Sequence, residues 1–317
     1  MNISVIGCGR WGSFIAWYLG KTGHNTLLYG REGSQNFIRL KQTGKNDLLT
    51  LNENVFLSSD IEKTLSHSDI IVISINAQGL RELLKQLTQI GIEEKTLVLC
   101  MKGLEEDTGK RLSEIVAEYS ACKVAVWVGP GHVQDFVGGE KGCMLIDSED
   151  EAVTKRLIEA FSGDMIRFYY GNNLLGNEIG AASKNVIGIA SGMLDGANLS
   201  SLKGVLISRG TREINRLITA MGGDGLCAYG LSHLGDYGAT VFSQYSHNRM
   251  YGEKFIKGED YGLLAEGVYT AKALVVLSEK YNVELPICKS VYRILFENAS
   301  GQEVIKELFN RPQKNEE

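Results

Sequence analysis

The spacing of hydrophobic positions changes near the middle of the chain. Through about the first 170 residues, short runs of Val, Ile, Leu or Thr alternate with amphipathic segments. The runs predict strands at residues 3–6, 26–29, 55–58, 70–75, 96–101, 124–128, 143–146 and 166–170. Helices are predicted between several of them, at residues 11–21, 79–90, 108–119 and 150–161. This alternation is typical of βαβ units and of a mostly parallel sheet that is covered on both faces.

From residue 174 onward the apolar positions follow a helical period, and no strand is predicted. The short polar segment 171–173 (GNN) is a candidate linker. We therefore divide the chain into two domains. Residues 1–172 are predicted to form an α/β Rossmann domain with a doubly wound, mostly parallel sheet, and residues 173–317 an all-α domain.

The predicted helix at residues 177–193 is apolar or small on almost every face and carries one lysine, Lys184. Its apolar residues recur at spacings of three and four: Ile179, Ala182, Val186, Ile189 and Met193. Gly180 and Gly188 lie on the lysine's side and leave room for another backbone or a ligand. Because the desolvation of an ammonium group is costly, such a lysine needs a partner. A side chain that extends to water, or that pairs with Glu178, is the alternative.

Composition narrows the functional class. The chain has 317 residues, of which 44% are hydrophobic and 22% charged, as in ordinary soluble proteins. A net charge of −5 gives no electrostatic footprint for nucleic acid, and no apolar run approaches the roughly 20 residues that span a membrane. The cysteines and histidines have no metal-ligand spacing, so neither a metal site nor disulfides are expected. Without a secretory signal pattern, a cytoplasmic location is predicted.

A GxGxxG motif follows the first predicted strand and opens the first predicted helix. In this context Gly7 permits a tight turn, Gly9 lets the backbone approach a pyrophosphate, and Gly12 lets the helix pack on the strand. The amide groups at the N-terminus of the helix attract phosphate. A dinucleotide site is therefore predicted at this turn.

Other residues at the strand ends refine this prediction. Arg31 and Glu32 follow the second strand, where an acidic residue usually marks an NAD site. Arg31 suits a 2′-phosphate, which favours NADP over NAD, with a solvated loop arginine as the alternative. Lys102 follows the fifth strand and residues 129–132 (GPGH) follow the sixth, and the carboxyl ends of parallel strands face the ligand crevice. We therefore expect Lys102 to meet both the nicotinamide and an anionic substrate.

Seven motifs carry a resemblance to a known family, over nearly the whole chain: GCGRWG, MKGLE, GPGHVQ, NEIGAASKNVIGIASG, GLSHLGDYGAT, SHNRMYG and AEGV. In order and approximate spacing the chain resembles bacterial NAD(P)-dependent glycerol-3-phosphate dehydrogenases. The resemblance implies a Rossmann domain followed by a helical domain of the 6-phosphogluconate dehydrogenase type. It implies the reversible reduction of dihydroxyacetone phosphate, a small phosphorylated substrate, to sn-glycerol 3-phosphate for phospholipid synthesis, with NAD or NADP as cofactor.

The same resemblance implies roles for individual residues. Lys184 would be the proton donor and acceptor, Lys102 would contact cofactor and substrate, and Asp236 would hold the lysine and the substrate hydroxyl. Further substrate contacts are implied at Gly129, Gly131, Asn185, Thr240, Ser246 and Asn248. Cofactor contacts are implied at Arg10, Trp11, Val133, Asn248, Leu264 and Glu266, beside Gly7, Gly9, Gly12 and Arg31.

The chain departs from the family pattern at the substrate. Where the family has Ser-Arg-Asn, with the arginine as a phosphate ligand, this chain has Ser246, His247 and Asn248. A neutral histidine offers one donor and no fixed charge. Arg249 follows directly and is a candidate phosphate ligand, although the local geometry also allows it to point away. The usual GPS or GPT is GPG here, so Gly131 offers no hydroxyl.

Other interpretations remain open at this stage. His247 alone supports the same fold acting on another small keto or hydroxy acid. A non-catalytic nucleotide sensor would be expected to lack Lys102, Lys184 or Asp236, and all three are present. Whether the protein forms a homodimer is also left open.

Other basic residues are interpreted more simply. His132 and His233 are expected to be hydrogen-bonded loop histidines, because Lys184 already fills the acid–base position. The arginines of the SRGTREINR segment have helical spacing and predict a solvated or ion-paired face: Arg209, Arg212 and Arg216.

Replacement of His247 by Arg is expected to lower the apparent KM for dihydroxyacetone phosphate, because a guanidinium adds a fixed charge and paired donors. One charged contact is worth about 1.5–3 kcal/mol, or roughly a 10- to 100-fold change in KM. Steady-state kinetics of the two proteins at saturating reduced cofactor measure this change. An unchanged or higher KM in His247→Arg would contradict our interpretation of the departure.

Overall fold

The computed structural model describes residues 1–263, 265–313 and 315. Its N-terminal part is a sheet of strands β1 (Asn2–Ile6), β2 (Asn25–Tyr29), β3 (Val55–Ser58), β4 (Ile70–Ile73), β5 (Thr96–Leu99), β6 (Lys123–Val128), β7 (Gly142–Ser148) and β8 (Ile166–Tyr170). Their order is β3-β2-β1-β4-β5-β6-β7-β8, and every neighbouring pair is parallel except β6 and β7. The predicted doubly wound, mostly parallel sheet is confirmed.

Helices cover both faces of this sheet: α1 (Arg10–Lys21), α2 (Gln35–Thr43), α3 (Ile61–His67), α4 (Leu80–Ile90), α5 (Leu112–Ala117), α6 (Val133–Val137) and α7 (Glu151–Phe161). Successive strand residues point to opposite faces of the sheet, so one strand contributes side chains to two hydrophobic cores. In β4, Val72 packs with the cluster around α1 and α7, whereas Ile71 and Ile73 pack with the cluster around α4 and α5. The continuous apolar runs of the sequence reflect this burial on both faces.

Three features of this part differ from the sequence prediction. Helices α2, α3 and α6 were not predicted, and the helix expected at residues 108–119 is limited to α5. The loop before α5 is held by a contact between domains, because a Cβ on Gly109 (φ +68°) would lie 2.8 Å from Leu277. Strands β4 and β5 each end two residues earlier than predicted, which leaves Lys102 in a loop beyond the sheet.

The C-terminal part is helical: α8 (Leu174–Gly196), α9 (Lys203–Ala220), α10 (Asp236–Val241), α11 (His247–Lys257), α12 (Glu266–Lys280), α13 (Pro286–Phe296) and α14 (Gly301–Phe309). Helix α8 extends three residues beyond the predicted 177–193 at each end. It begins after Asn173, whose side chain accepts a hydrogen bond from the amide of Gly176. α8 is the central helix, since it packs against α9 to α13. The domain border at residue 172 stays a prediction.

Helices α8 and α11 pack with their backbones in contact. A Cβ on Gly192 would lie 1.8 Å from the carbonyl oxygen of Arg249, and one on Gly252 would lie 2.1 Å from that of Ile189. Only glycine allows so close an approach at these two positions. The contact places the first turn of α11 beside the middle of α8, near Lys184. Among the described residues, no helix is long and apolar enough to span a membrane, and no cluster of His, Cys, Asp and Glu is arranged to hold a metal.

Substitution of Gly252 by Ala is expected to lower the free energy of unfolding by about 1–3 kcal/mol, because the added methyl group forces α11 away from α8. The matched control is Gly204→Ala at the exposed start of α9, where no described atom lies within 4 Å of the new Cβ. That control is expected to gain up to about 1 kcal/mol from helix propensity. Urea unfolding measures both values, and a Gly252→Ala protein as stable as the control would refute the close contact.

Candidate active site

A cluster of charged side chains lies where the carboxyl ends of β5 and β6 meet the helical part. Lys102, in the loop after β5, donates from Nζ to the carbonyl oxygen of Gly129 after β6, at 2.7 Å. The same ammonium forms a short ion pair with Asp236, the first residue of α10. Asp236 is only 2% exposed. One lysine thus connects two strand ends of the sheet with a helix of the other part.

Lys184 approaches the same carboxylate from α8. Its Nζ lies 3.3 Å from Oδ1 of Asp236 and 3.3 Å from Oγ1 of Thr240, one turn further along α10. The side chain of Lys184 is 12% exposed. The alternative partner, Glu178, is instead bound to Arg111 and Ser113. Lys184 is therefore nearly buried, and it shares one buried carboxylate with Lys102.

The electrostatics of this cluster favour proton transfer. Burial lowers the pKa of Lys184; the carboxylate of Asp236 opposes this shift, and the charge of Lys102 adds to it. Burial by itself raises the pKa of Asp236, but the two ammonium groups hold it below its ordinary value. Asp236 is therefore ionised, while Lys184 releases its proton more readily than a lysine in water.

A chain of amide hydrogen bonds holds the backbone of Lys102. The amide of Gly267 in α12 donates to Oδ1 of Asn248, Nδ2 of Asn248 donates to Oδ1 of Asn185, and Nδ2 of Asn185 donates to the carbonyl of Lys102. The distances are 2.9, 3.0 and 2.7 Å. Asn185 and Asn248 were expected as substrate contacts, and each uses its amide to link helices α12, α11 and α8 to the loop of Lys102. This linking role was missed in the sequence, where no spacing signals it.

The glycine turn forms the cradle that the GxGxxG motif predicts. Gly7 has a φ of +111°, and a Cβ there would lie 2.1 Å from the carbonyl oxygen of Ser74. A Cβ on Gly12 would lie 1.8 Å from the oxygen of Gly7, so the first turn of α1 packs directly on the strand end. At Gly9, in contrast, no described atom lies within 4 Å of the added Cβ, which leaves that backbone open to a ligand. These residues fit a dinucleotide pyrophosphate.

Buried polar atoms without partners lie between the cradle and the lysines. Among the described residues, Nε1 of Trp11 and Oε2 of Glu266 have no hydrogen-bond partner. The ring of Trp11 lies 5.9 Å from Nζ of Lys102, and Oε2 of Glu266 lies 3.6 Å from the position of a Cβ on Gly103. Burial raises the pKa of Glu266 to about 7. Unpaired buried groups of this kind are expected where a bound molecule completes the hydrogen bonds.

The remaining predicted cofactor residues are spread around this cleft. Arg10 begins α1 and is exposed, Arg31 is exposed after β2, and Val133 is buried at the start of α6. Leu264 lies outside the described residues.

Steric constraints explain the glycines of the GPG segment after β6. Gly129 and Gly131 have φ values of +133° and +148°. A Cβ on Gly131 would lie 2.3 Å from the ring of Phe136 in α6. The backbone at this turn therefore accepts only glycine, which explains the missing hydroxyl.

The first turn of α11 lies against Gly188, four residues after Lys184 in α8. A Cβ on Gly188 would lie 3.1 Å from the methyl of Thr240 and 3.3 Å from Cβ of Asn248. Ser246 caps α11 by accepting from the amide of Arg249 at 3.2 Å. Nδ1 of His247, the first residue of the helix, is hydrogen-bonded to the hydroxyl of Tyr261. The predicted substrate residues of α8, α10 and α11 thus meet along one side of α8.

The expectation for Arg249 is corrected. Its Nε lies 2.7 Å from Oδ2 of Asp195, and its Nη2 lies 3.4 Å from Glu253. Asp195 also binds the buried ammonium of Lys203 at 2.7 Å. Because these carboxylates already satisfy the guanidinium, Arg249 is a structural ion-pair residue and not a phosphate ligand in this arrangement.

The other basic residues differ in their surroundings. Nδ1 of His233 is hydrogen-bonded to the carbonyl of Gly180 at 2.9 Å, and burial lowers the pKa of His233 to about 4. Burial and the charge of Lys184 lower the pKa of His132. On α9, Arg216 donates to the carbonyl of Glu284. Both histidines are therefore neutral near pH 7. Of the two, only His233 shows the expected hydrogen bond, and Nε2 of each is buried without a partner among the described residues.

A Rossmann sheet whose strand ends carry one lysine and face a second lysine from a helical domain defines the class of two-domain nicotinamide-dependent dehydrogenases. Comparison with known families gives the narrower assignment. Residues 2–154 match the family described as NAD-dependent glycerol-3-phosphate dehydrogenase N-terminus, and residues 173–306 match its C-terminus. The chain belongs to the NAD-dependent glycerol-3-phosphate dehydrogenase family.

Individual relatives agree with this assignment. The chain is 34% identical to the glycerol-3-phosphate dehydrogenase [NAD(P)+] of Fusobacterium nucleatum, over 99% of this chain and 98% of that protein. It is also 34% identical to the protein of the same name from Prosthecochloris aestuarii, over the full length of both. The crystal structure of glycerol-3-phosphate dehydrogenase from Coxiella burnetii matches with a TM-score of 0.92 and 27% identity, over 98% of this chain and 99% of that one.

Stability is expected to fall as the pH is lowered through the range in which His233 titrates. Its pKa is about 4 in the folded protein and about 6.5 in the unfolded chain, so the unfolded state binds more protons between these values. The contribution is complete above about pH 6.5, and about 3 kcal/mol is lost by pH 4. His233→Gln keeps a donor for Gly180 but does not titrate.

Urea unfolding at several pH values measures the effect. His233→Gln is expected to lose less stability than the wild type between pH 6.5 and 4. Parallel curves for His233→Gln and the wild type would show that His233 is not a buried neutral base.

Proposed function

We propose that this protein catalyses the reversible reduction of dihydroxyacetone phosphate to sn-glycerol 3-phosphate with NAD(P)H. The observation that carries the proposal is the sharing of Asp236 by Lys184 and Lys102, beside the glycine cradle. Membership of the family and the names of its relatives support the same reaction. A nucleotide sensor without turnover would not require two lysines to converge on one buried carboxylate.

Lys184 is the proposed proton donor. A nicotinamide cofactor held at the glycine cradle would supply the hydride to the carbonyl carbon of the substrate. As negative charge grows on the carbonyl oxygen, the ammonium of Lys184 stabilises it and donates its proton. In the oxidation direction the neutral amine accepts the proton of the hydroxyl. A free lysine, with a pKa of about 10.4, holds its proton too tightly for this step. Burial in α8 lowers the pKa of Lys184 and so eases the release of the proton.

Asp236 and Lys102 keep this proton in the right place. Asp236 holds Nζ of Lys184 against the cleft, and it is itself held by the ammonium of Lys102. Two ammonium groups and one carboxylate leave one net positive charge, which attracts an anionic substrate. Thr240 lies at hydrogen-bonding distance from Lys184 and completes the polar wall.

The phosphate of the substrate is proposed to bind at the first turn of α11. Gly188, which contacts Asn248 there, is one helical turn from Lys184, or about 5.4 Å along the axis. A three-carbon phosphate spans this interval, with its carbonyl at Lys184 and its phosphate near Ser246 and His247. The amide groups of a helix N-terminus favour the dianion.

The proposal extends to the choice between NADP and NAD, the location of the protein, its oligomeric state and its metabolic role. Arg31 favours NADP through the 2′-phosphate, since it is exposed next to the cradle. A cytoplasmic location, a homodimer and a role in phospholipid synthesis stay predictions. Of these, the resemblance of the motifs supports the role in phospholipid synthesis, and the oligomeric state is left open.

The reaction is tested by following the absorbance of the reduced nicotinamide with dihydroxyacetone phosphate and either NADH or NADPH. Turnover with a lower KM for NADPH is expected from Arg31. The absence of turnover with both cofactors would refute the proposed function, and a lower KM for NADH would refute the preference alone.

Replacement of Lys184 by Ala is expected to reduce kcat by at least about 10²- to 10⁴-fold, the usual value of proton transfer, while cofactor binding is nearly unchanged. Lys184→Arg is the matched variant, because it keeps the positive charge but does not release its proton at neutral pH. Both variants are expected to be inactive in glycerol 3-phosphate oxidation. If Lys184→Ala turned over near the wild-type rate, another group would have to be the proton donor.

A further inference from the structure

His247 is held by a residue that no motif identifies. The hydroxyl of Tyr261, in the segment between α11 and α12, is hydrogen-bonded to Nδ1 of His247. The two rings lie 5.9 Å apart at an angle of 62°. Among the described residues, Nε2 of His247 has no hydrogen-bond partner, so one side of the imidazole is fixed and the other is available.

The protonation states follow from the surroundings. Burial and the nearby charge of Arg10 lower the pKa of His247, and burial raises the pKa of Tyr261. Lys254 adds a second cation, 6.0 Å from the ring of Tyr261. Near neutral pH the imidazole therefore carries one proton and the phenol keeps its own. Since a phenol donates better than it accepts, its proton is directed to Nδ1, which leaves the imidazole proton on Nε2.

We propose that Tyr261 is a positioning residue that holds His247 as the Nε2–H tautomer, so that Nε2 donates a hydrogen bond to the substrate phosphate. The inference rests on the proposed function, because the phosphate is placed at α11 by that proposal. Arrangements of the same kind fix the histidine tautomer at metal sites, where the second ring nitrogen selects which one binds.

The first turn of α11 provides the other donors of this subsite. Ser246 uses its hydroxyl to cap the amide of Arg249, and its carbonyl accepts from Met250. The amides of His247 and Asn248 therefore have no partner within the helix. Nε2–H of His247 and these amides together offer neutral donors to the phosphate, and Arg10 supplies the nearby charge.

The test is a double-mutant cycle of Tyr261→Phe and His247→Arg, with dihydroxyacetone phosphate and reduced cofactor. Tyr261→Phe is expected to raise KM about 5- to 10-fold with little change in kcat, as for the loss of one hydrogen bond. In His247→Arg the same substitution is expected to leave KM unchanged, because a guanidinium has no tautomer to select. Tyr251→Phe removes a neighbouring hydroxyl of the same aromatic group and is the control.

The tautomer itself is read without substrate from the ring ¹⁵N shifts of histidine-labelled protein. The signals absent from His247→Arg belong to His247; they are expected to show Nε2–H in the wild type and a mixture of tautomers in Tyr261→Phe. An Nδ1–H tautomer in the wild type would overturn the inference. An equal rise of KM for Tyr261→Phe in both backgrounds, or a rise as large in Tyr251→Phe, would also overturn it.

These outcomes are distinct from a failure of the proposed function. If the wild type does not reduce dihydroxyacetone phosphate, the proposed reaction is refuted and the phosphate role of His247 is refuted with it. If the wild type turns over and Tyr261→Phe has an unchanged KM, the reaction stands and only the role of Tyr261 is refuted.

Discussion

The site depends on one buried carboxylate that is shared by two lysines. Asp236 is 2% exposed, and its burial is acceptable only because Lys102 and Lys184 both pair with it. The two lysines come from different layers, one from a strand end and one from the central helix. Removal of Asp236 would leave two neighbouring ammonium groups without their counter-charge, which typically costs several kcal/mol. The same ion cluster therefore joins the two parts of the chain and adjusts the acidity of Lys184.

The surrounding packing keeps this cluster rigid. Gly192 and Gly252 bring α8 and α11 into backbone contact, and the amides of Asn185 and Asn248 carry that contact to the loop of Lys102. A substitution that shifts any of these residues would displace an ammonium group relative to the cleft. Because proton transfer requires hydrogen-bond distances, close helix packing is a condition of the chemistry as well as of stability.

Patterns of neighbouring residues predicted the structural features that depend on interactions close together along the chain. The strands and the helix around Lys184 followed from periodicity, and Lys102 followed from the rule that strand ends face the crevice. Asp236 has no such signal: it follows a π-helical turn, and only the resemblance pointed to it. The shortened α5 and the ion pairs of Arg249 depend on contacts with distant residues, Leu277 and Asp195, which no spacing along the chain reveals.

Charged residues surround His247, at the end of the cleft where the phosphate is proposed to bind. Arg249, which lies near His247 on the same helix, pairs with Asp195 and Glu253, and these carboxylates also pair with Lys203 and Lys257. This cluster and the cluster of Lys102, Lys184 and Asp236 each have one more cation than carboxylates. Arg10 reaches His247 from the cofactor side of the cleft, since its charge lowers the pKa of that imidazole. In the proposed binding mode the phosphate is attracted by Arg10 as well as by Lys254 of α11, and the contribution of Arg10 couples substrate binding to the position of the cofactor domain.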